Sequence, residues 1–280
     1  MNKFLTRTLT GAVFVALMVF SILWSQTLLV NVFLVFTCIG LYEYRTILWE
    51  NGIRLSVLFY VVALLVYFLL SFEVKGIPFQ LVLPLSFCFA LLLLVAALFQ
   101  KEEAVAFRDV AYSLTGILWI AVPFALLNFF PLIGRNAVGG PHQPAVGQWI
   151  LLACFVTVWA NDTFAYCVGS LIGRHKFFER ISPKKTWEGT LGGAVLTLVL
   201  ACLYTRLFAQ VPLNAAQWMG LALIVVVMGS LGDLVESFFK RRMNVKDSGN
   251  ILPGHGGILD RFDSALMSLP FVLLYLQLVL

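Results

Sequence analysis

Hydrophobic and polar positions in this chain alternate on a long scale. Apolar runs of roughly 16 to 25 residues are separated by short polar segments, and about 20 apolar residues are what an α-helix needs to cross a bilayer. Nine runs fit: Leu9–Trp24, Thr27–Trp49, Leu55–Phe72, Phe79–Phe99, Val110–Phe130, Gln148–Ile172, Glu188–Phe208, Ala215–Phe238 and Ile258–Leu280. The pattern predicts an all-α, polytopic transmembrane bundle of about nine spans. Its first run is short and is parted from the second only by Ser25-Gln26, which predicts a tight hairpin that does not cross fully. Lys3 and Arg7 ahead of that run resemble the start of a signal peptide. No small-residue cleavage pattern follows, so the expectation is a retained first span.

Composition agrees. Hydrophobic residues make up 61% of the chain and charged residues 12%, about half the charge of a soluble domain. Charge also orients the bundle. With the N-terminus inside, all of the Lys and Arg fall on inner segments except Lys75, Arg135 and Arg206, an asymmetry that supports an odd span count. The net charge of +5 is then explained by inner loops facing anionic lipid, and no nucleic-acid-binding module is present. Cys38, Cys88, Cys154, Cys167 and Cys202 lack metal-ligand spacing and read as packing residues. The outer loop Gly134–Gln148 is turn-rich, and His142 within it reads as solvated.

The stretch from Ser237 to Asp263 is the most polar in the chain. It combines Lys240, Arg241, Arg242 and Lys246 with the Gly256-Gly257 pair, and with Asp260 and Asp263 three residues apart. Basic side chains suit phosphate oxygens, adjacent glycines let backbone N–H groups approach a ligand, and two acids on one helix face can share a divalent cation. Just before it, Asp233, Glu236, Ser237 and Lys240 fall on one helical stripe, as a site or as carboxylates snorkelling to the interface beside Lys240. Asp260 and Asp263 taken singly are ordinary N-terminal helix residues. The case for metal rests on their combination with Asp233. His255, between glycines, suits donation to phosphate better than metal ligation.

Two further polar sites interrupt apolar runs. Asn161-Asp162 lies about 15 Å from the inner end of the sixth run at 1.5 Å per residue. A carboxylate so deep faces protein, water or a cation. Ser182-Pro183 reads as an N-cap and first helical turn, placing Lys184 and Lys185 where the helix dipole favours anions. A phosphate docked at that end would resolve the conflict, the alternative being two surface lysines. Gly169, Gly173, Gly189 and Gly193 have the small-xxx-small spacing of close helix contacts and, secondarily, of a homodimer.

Together these residues resemble the bacterial integral-membrane family of CTP:phosphatidate cytidylyltransferases, or CDP-diacylglycerol synthases. That family's pattern is filled without departure by Ser237, Lys240, Arg241, Lys246, Asp247, Pro253, His255, Gly256, Gly257, Asp260, Arg261 and Asp263. Asn161 to Tyr166 and Ser182 to Gly189 also match its motifs, so the resemblance covers the chain from about residue 150. Residues 146–280 would carry the site, and residues 1–145 hold transmembrane helices without assigned chemistry.

The resemblance implies that CTP and phosphatidate give CDP-diacylglycerol and pyrophosphate in phospholipid biosynthesis. It implies Mg²⁺, a second cation such as K⁺, and a location in the bacterial inner membrane with the site on the cytoplasmic side. Asp233, Asp260 and Asp263 would hold metal, with Asp162 a further candidate, and Lys246 would join these three acids in catalysis. Lys240, Arg241, Lys246 and Arg261 would bind the triphosphate beside a cradle of His255, Gly256 and Gly257. Lys184, Lys185 and Ser237 would take the phosphatidate headgroup.

A lipid phosphate with a second pKa near 6 is largely a dianion at neutral pH and needs no general base. The lack of an evident catalytic histidine dyad is therefore no objection. Among other readings, the pattern of a CDP-alcohol phosphotransferase is not found. A CTP-dependent lipid kinase would use similar cation chemistry at the γ-phosphorus. An ion transporter would account for Asp162 and Asp233 but not for the basic, glycine-rich loop.

Overall fold

A computed structural model describes residues 3–71, 79–98, 103–134, 144–254 and 256–280. The predicted outer loop lies mostly outside these residues, as do Lys75, Lys101, Arg135, His142 and His255. Among the described residues, ten α-helices and one β-hairpin follow in the order α1 (Lys3–Trp24), α2 (Gln26–Glu50), α3 (Val57–Ser71), α4 (Phe79–Ala97), α5 (Glu103–Gly116), α6 (Val122–Leu127), α7 (Val146–Ile172), β1 (Lys176–Phe178), β2 (Ser182–Thr186), α8 (Trp187–Leu207), α9 (Ala215–Arg242) and α10 (Leu259–Val279).

Among the described residues, seven helical stretches are long and apolar enough to cross a membrane, and two shorter apolar helices, Val57–Ser71 and Pro84–Ala97, fall at the third and fourth predicted runs. The fifth run is a composite of α5, a π-helical turn at Ile117–Ala121, and α6. There the Val122 N–H reaches back to the Ile117 carbonyl, and Pro123 follows without an N–H of its own. The first helix is longer than its apolar run because it starts at Lys3, and Arg7–Trp24 alone has spanning length. Ser25 ends the first helical stretch in extended conformation, and its hydroxyl accepts the Leu28 N–H at 3.1 Å, capping α2.

One expectation fails at Ser182. No helix begins there. Ser182–Thr186 is extended and pairs antiparallel with Lys176–Phe178, in the register Lys176↔Thr186 and Phe178↔Ser182. The helix begins at Trp187, where the Thr186 hydroxyl accepts the Gly189 N–H at 3.2 Å. Ser-Pro is a start signal only while the residues after it are free to turn, and cross-strand pairing holds these extended. The hairpin folds back so that the Glu188 carboxylate accepts both the His175 N–H and the Arg174 N–H, with His175 Nδ1 at 2.5 Å.

Glycines draw the site-bearing helices together. α7 meets α8 where a Cβ on Gly193 would lie 2.8 Å from the Ala165 Cβ and one on Gly189 would lie 2.9 Å from the Gly169 Cα. α9 meets α10 where a Cβ on Gly232 would collide with the Asp263 carbonyl. Without a hydrophobic drive between helices in lipid, such close backbone approach is what holds them.

The start of α10 is fixed from every side. Phe262 is 1% exposed, and its ring lies 4.9 Å from that of Phe124 and 5.2 Å from Phe36. Phe14, Phe155 and Phe33 complete the cluster at 5.8, 6.0 and 6.3 Å. These partners come from α1, α2, α6 and α7, so one buried core joins the N-terminal and C-terminal helices.

Candidate active site

Asp260, Arg261 and Asp263 flank Phe262, so the aromatic cluster sets where these charged side chains emerge. A second group comes from α9, whose stripe is ordered as its spacing predicts. The Ser237 hydroxyl donates to Asp233 Oδ1 at 3.2 Å, and Lys240 Nζ lies 2.7 Å from Glu236 Oε2. Lys240 also reaches across to α10, 2.6 Å from Asp260 Oδ1.

A cleft of about 340 Å³ opens beside these groups between α7, β2, the start of α8 and α9. Asp162, Lys184, Lys185, Thr190, Ser230 and Asp233 line it, with Tyr166 and Gly169 on the α7 wall. Lys185 Nζ lies 2.5 Å from Asp233 Oδ2, joining the hairpin to the α9 stripe. Lys184 and Lys185, expected at the lipid phosphate, thus share one cleft with Asp162 and Asp233, expected at the metal, whereas Ser237, expected with the lysines, does not line it. The two lysines arrive on a strand, side by side with a helix start rather than inside its first turn.

The metal set expected from sequence is not gathered as such. Among the described residues, no three His, Cys, Asp or Glu side chains converge to hold an ion. Asp260 turns toward the loop, where its Oδ2 accepts the Ser248 N–H and the Gly257 N–H, each at 2.8 Å. With Lys240 on its Oδ1, that carboxylate organises the signature loop. Asp263 Oδ1 instead accepts the Ser264 N–H at 2.6 Å.

Asp162, Asp233, Glu236 and Asp263 offer the donor chemistry of a hard divalent cation, although no three of them are gathered closely enough in this structure to hold one. Their donors are all oxygens, they come from three helices, and Glu236 Oε1 is buried without a hydrogen-bond partner.

The cations expected on a triphosphate divide into two kinds. Arg241, Lys246 and Arg261 are exposed near the α9–α10 turn and free to meet a ligand. Lys240 is held, its side chain only 13% exposed between two carboxylates. Gly254 and Gly256 adopt left-handed φ values of 79° and 83°, which glycine allows at no steric cost. These bends tighten the loop, and Leu252 N–H donates to the Gly256 carbonyl at 3.1 Å. The Gly257 N–H, expected on phosphate, is taken by Asp260. His255 lies outside the described residues.

Sequence reasoning left two acids out of the metal and catalytic sets. Glu236 was visible on the stripe with Asp233, and the structure adds it to the charged group. Glu43, on α2, is 2% exposed and bonds to the signature loop. Its signal was a carboxylate inside an apolar run, which is rare without a role.

Comparisons with known proteins converge on the same chemistry. Among curated relatives, phosphatidate cytidylyltransferase of Bacillus subtilis (strain 168) is 43% identical over 190 residues, 68% of this chain and 66% of that protein. The Staphylococcus aureus (strain COL) protein of the same name is 40% identical over 174 residues, 61% of each chain. That of Staphylococcus haemolyticus (strain JCSC1435) is 36% identical over 199 residues, 71% of this chain and 69% of the relative. The chain thus spans less than two thirds of the length of the first two relatives. The family model for cytidylyltransferases matches residues 5–279, from the first turns of α1 to the end of α10. A chain matched from end to end in this way belongs to the cytidylyltransferase family.

Proposed function

We propose that this protein transfers the cytidylyl group of CTP to phosphatidate, giving CDP-diacylglycerol and pyrophosphate. The observation that carries the reading is the cleft in which Lys184 and Lys185 stand beside Asp162 and Asp233 among apolar helices. Such a site suits a ligand with an anionic head and apolar tails. Its relatives' shared name supplies the substrate pair.

A phosphate oxygen of phosphatidate attacks the α-phosphorus of CTP, one P–O bond forms, and the bond to the β-phosphate oxygen breaks with its electrons leaving on pyrophosphate. The barrier is repulsion between anions together with charge growing on the leaving group, so positioning and cations dominate. Lys184 and Lys185 bind the lipid phosphate, Lys185 exchanging Asp233 for it, and Ser237 orients Asp233. Arg241, Lys246 and Arg261 bind the triphosphate and draw it from water. Lys240 keeps Asp260 in place, so the loop presents its exposed cations in one register.

Asp162, Asp233, Glu236 and Asp263 would hold Mg²⁺, with a second cation such as K⁺ nearby. Bound there, a divalent cation offsets phosphate charge and aligns the phosphate oxygens. The positive-inside bias supports a cytoplasmic position for the loops, at a bacterial inner membrane, where CTP is found.

The test supplies detergent-purified protein with phosphatidate, Mg²⁺ and CTP labelled at either the α- or the γ-phosphate. Label should reach lipid only from α-labelled CTP, with pyrophosphate released. Transfer of γ-label alone would make the protein a lipid kinase and overturn the reading.

A further inference from the structure

One of the two most buried acids among the described residues lies outside the cleft that Lys184 and Lys185 line, in the helices to which the sequence assigns no chemistry. Glu43 is 2% exposed on α2, and among the described residues its partners are all neutral donors. Its Oε1 accepts the Ile258 N–H at 2.9 Å, and its Oε2 accepts the Leu259 N–H at 3.0 Å and the Ser248 hydroxyl at 3.1 Å. Burying a carboxylate is costly unless its hydrogen bonds are made, so its retention here points to a task.

The geometry shows what the task is. Ile258, the residue before α10, gives no side-chain cap to its helix. The free N–H groups of the first turn are met instead by a carboxylate from another helix, more than 200 residues earlier in the chain. Its negative charge also opposes the positive end of the α10 dipole. The loop is shaped around it. A Cβ on Gly249 would lie 2.7 Å from Glu43 Oε1, and one on Gly257 2.5 Å from Oε2. Ser248 joins this anchor to the site, since its hydroxyl also lies 3.0 Å from Asp260 Oδ2 and accepts the Asp260 N–H at 3.3 Å.

We propose that Glu43 is a positioning residue for the transfer reaction: a carboxylate lent by α2 that caps α10 and, through Ser248, sets Asp260 and Asp263 in register. The inference rests on the cytidylyl-transfer reading for its kinetic arm only. Glu43 does not line the lysine cleft, and the exposed cations of the α9–α10 turn make no bond to it. Losing it therefore misaligns the acids and leaves ground-state binding of both substrates in place.

The experiment compares wild-type protein with Glu43→Gln, Glu43→Asp and Ser248→Ala in detergent. Glu43→Gln turns one acceptor oxygen into an NH₂ that meets a backbone donor. We expect kcat with α-labelled CTP to fall about 10- to 100-fold while both KM values stay within about threefold. Glu43→Asp, which keeps the charge one methylene short, recovers part of that loss. Hydrogen–deuterium exchange needs no substrate. It should show Ile258 and Leu259 losing protection in Glu43→Gln, with α7 and α8 unchanged.

Unchanged kcat in Glu43→Gln, a rise confined to KM, or equal loss of protection throughout the chain would each overturn the proposal. Should Glu43→Gln fail to fold, Ser248→Ala decides: it removes the hydroxyl that joins Glu43 to Asp260, leaves both backbone N–H bonds to Glu43, and should lower kcat with Ile258 and Leu259 still protected. Wild-type kcat there would also overturn it. If wild-type protein transfers no α-label, the reaction assigned above fails, and the exchange arm alone decides whether Glu43 holds the loop.

Discussion

In the proposed reaction, Lys185 is the residue on which the lipid side of the site turns. It is half-buried at the cleft, paired with Asp233 at 2.5 Å, and carried by a strand that cannot drift from the start of α8. Lys185→Ala should raise the KM for phosphatidate about tenfold and that for CTP less than about threefold, since a charge-assisted bond to one phosphate is lost. Steady-state kinetics with each substrate varied in turn would check this, and the opposite pattern would mean that the two phosphate sites are exchanged. The sequence made Lys185 legible because a Lys pair beside an apolar run is conspicuous. It made Asp260 legible as important while leaving its partners hidden, because Ser248 and Lys240 reach it only once the loop closes. Glu43 was legible only as an oddity, for its donors lie on the far side of the chain.

At the level of elements, helix lengths and their order follow from the apolar runs, and the glycine contacts of α7 with α8 from small-residue spacing. The β-hairpin does not. Ser182-Pro183 carries a local helix-start signal, and only pairing with Lys176–Phe178, a non-local event, overrides it. The aromatic cluster at the head of α10 was equally hidden, since its rings come from five elements. Phe262→Ala should therefore act on two levels. A cavity at so crowded a position costs about 3–5 kcal/mol in soluble cores. The same change frees the turn that carries Asp260 and Asp263. A lower melting temperature in detergent, with a fall in kcat larger than the change in either KM, is the expected result.

For the whole molecule, the charge asymmetry makes a prediction that no single helix can. In a cysteine-free background, Arg242→Cys should react with a membrane-impermeant maleimide only when the cytoplasmic face is accessible. Arg206→Cys, at the other end of α8, should react only from the opposite face. Labelling of both from one side would refute the orientation. Such a layout also explains why the N-terminal helices matter to chemistry carried elsewhere. They furnish the wall of rings around Phe262 and the carboxylate beneath the signature loop, and the site would lose its floor without them.

Tyr166, 77% exposed, puts one wall of the cleft on the flank of α7 instead of at its tip. A lipid confined to a leaflet meets such an opening by diffusion in two dimensions, whereas a nucleotide arrives through three. Under the proposed reaction the two substrates then have different measures of abundance: the rate would follow the mole fraction of phosphatidate in its micelle or bilayer and the molarity of CTP. Adding neutral detergent at constant bulk phosphatidate should slow turnover, and adding buffer at constant mole fraction and saturating CTP should not. In a cell, the flux through this protein would be set by how crowded the membrane is with phosphatidate and not by how much of it the cell contains.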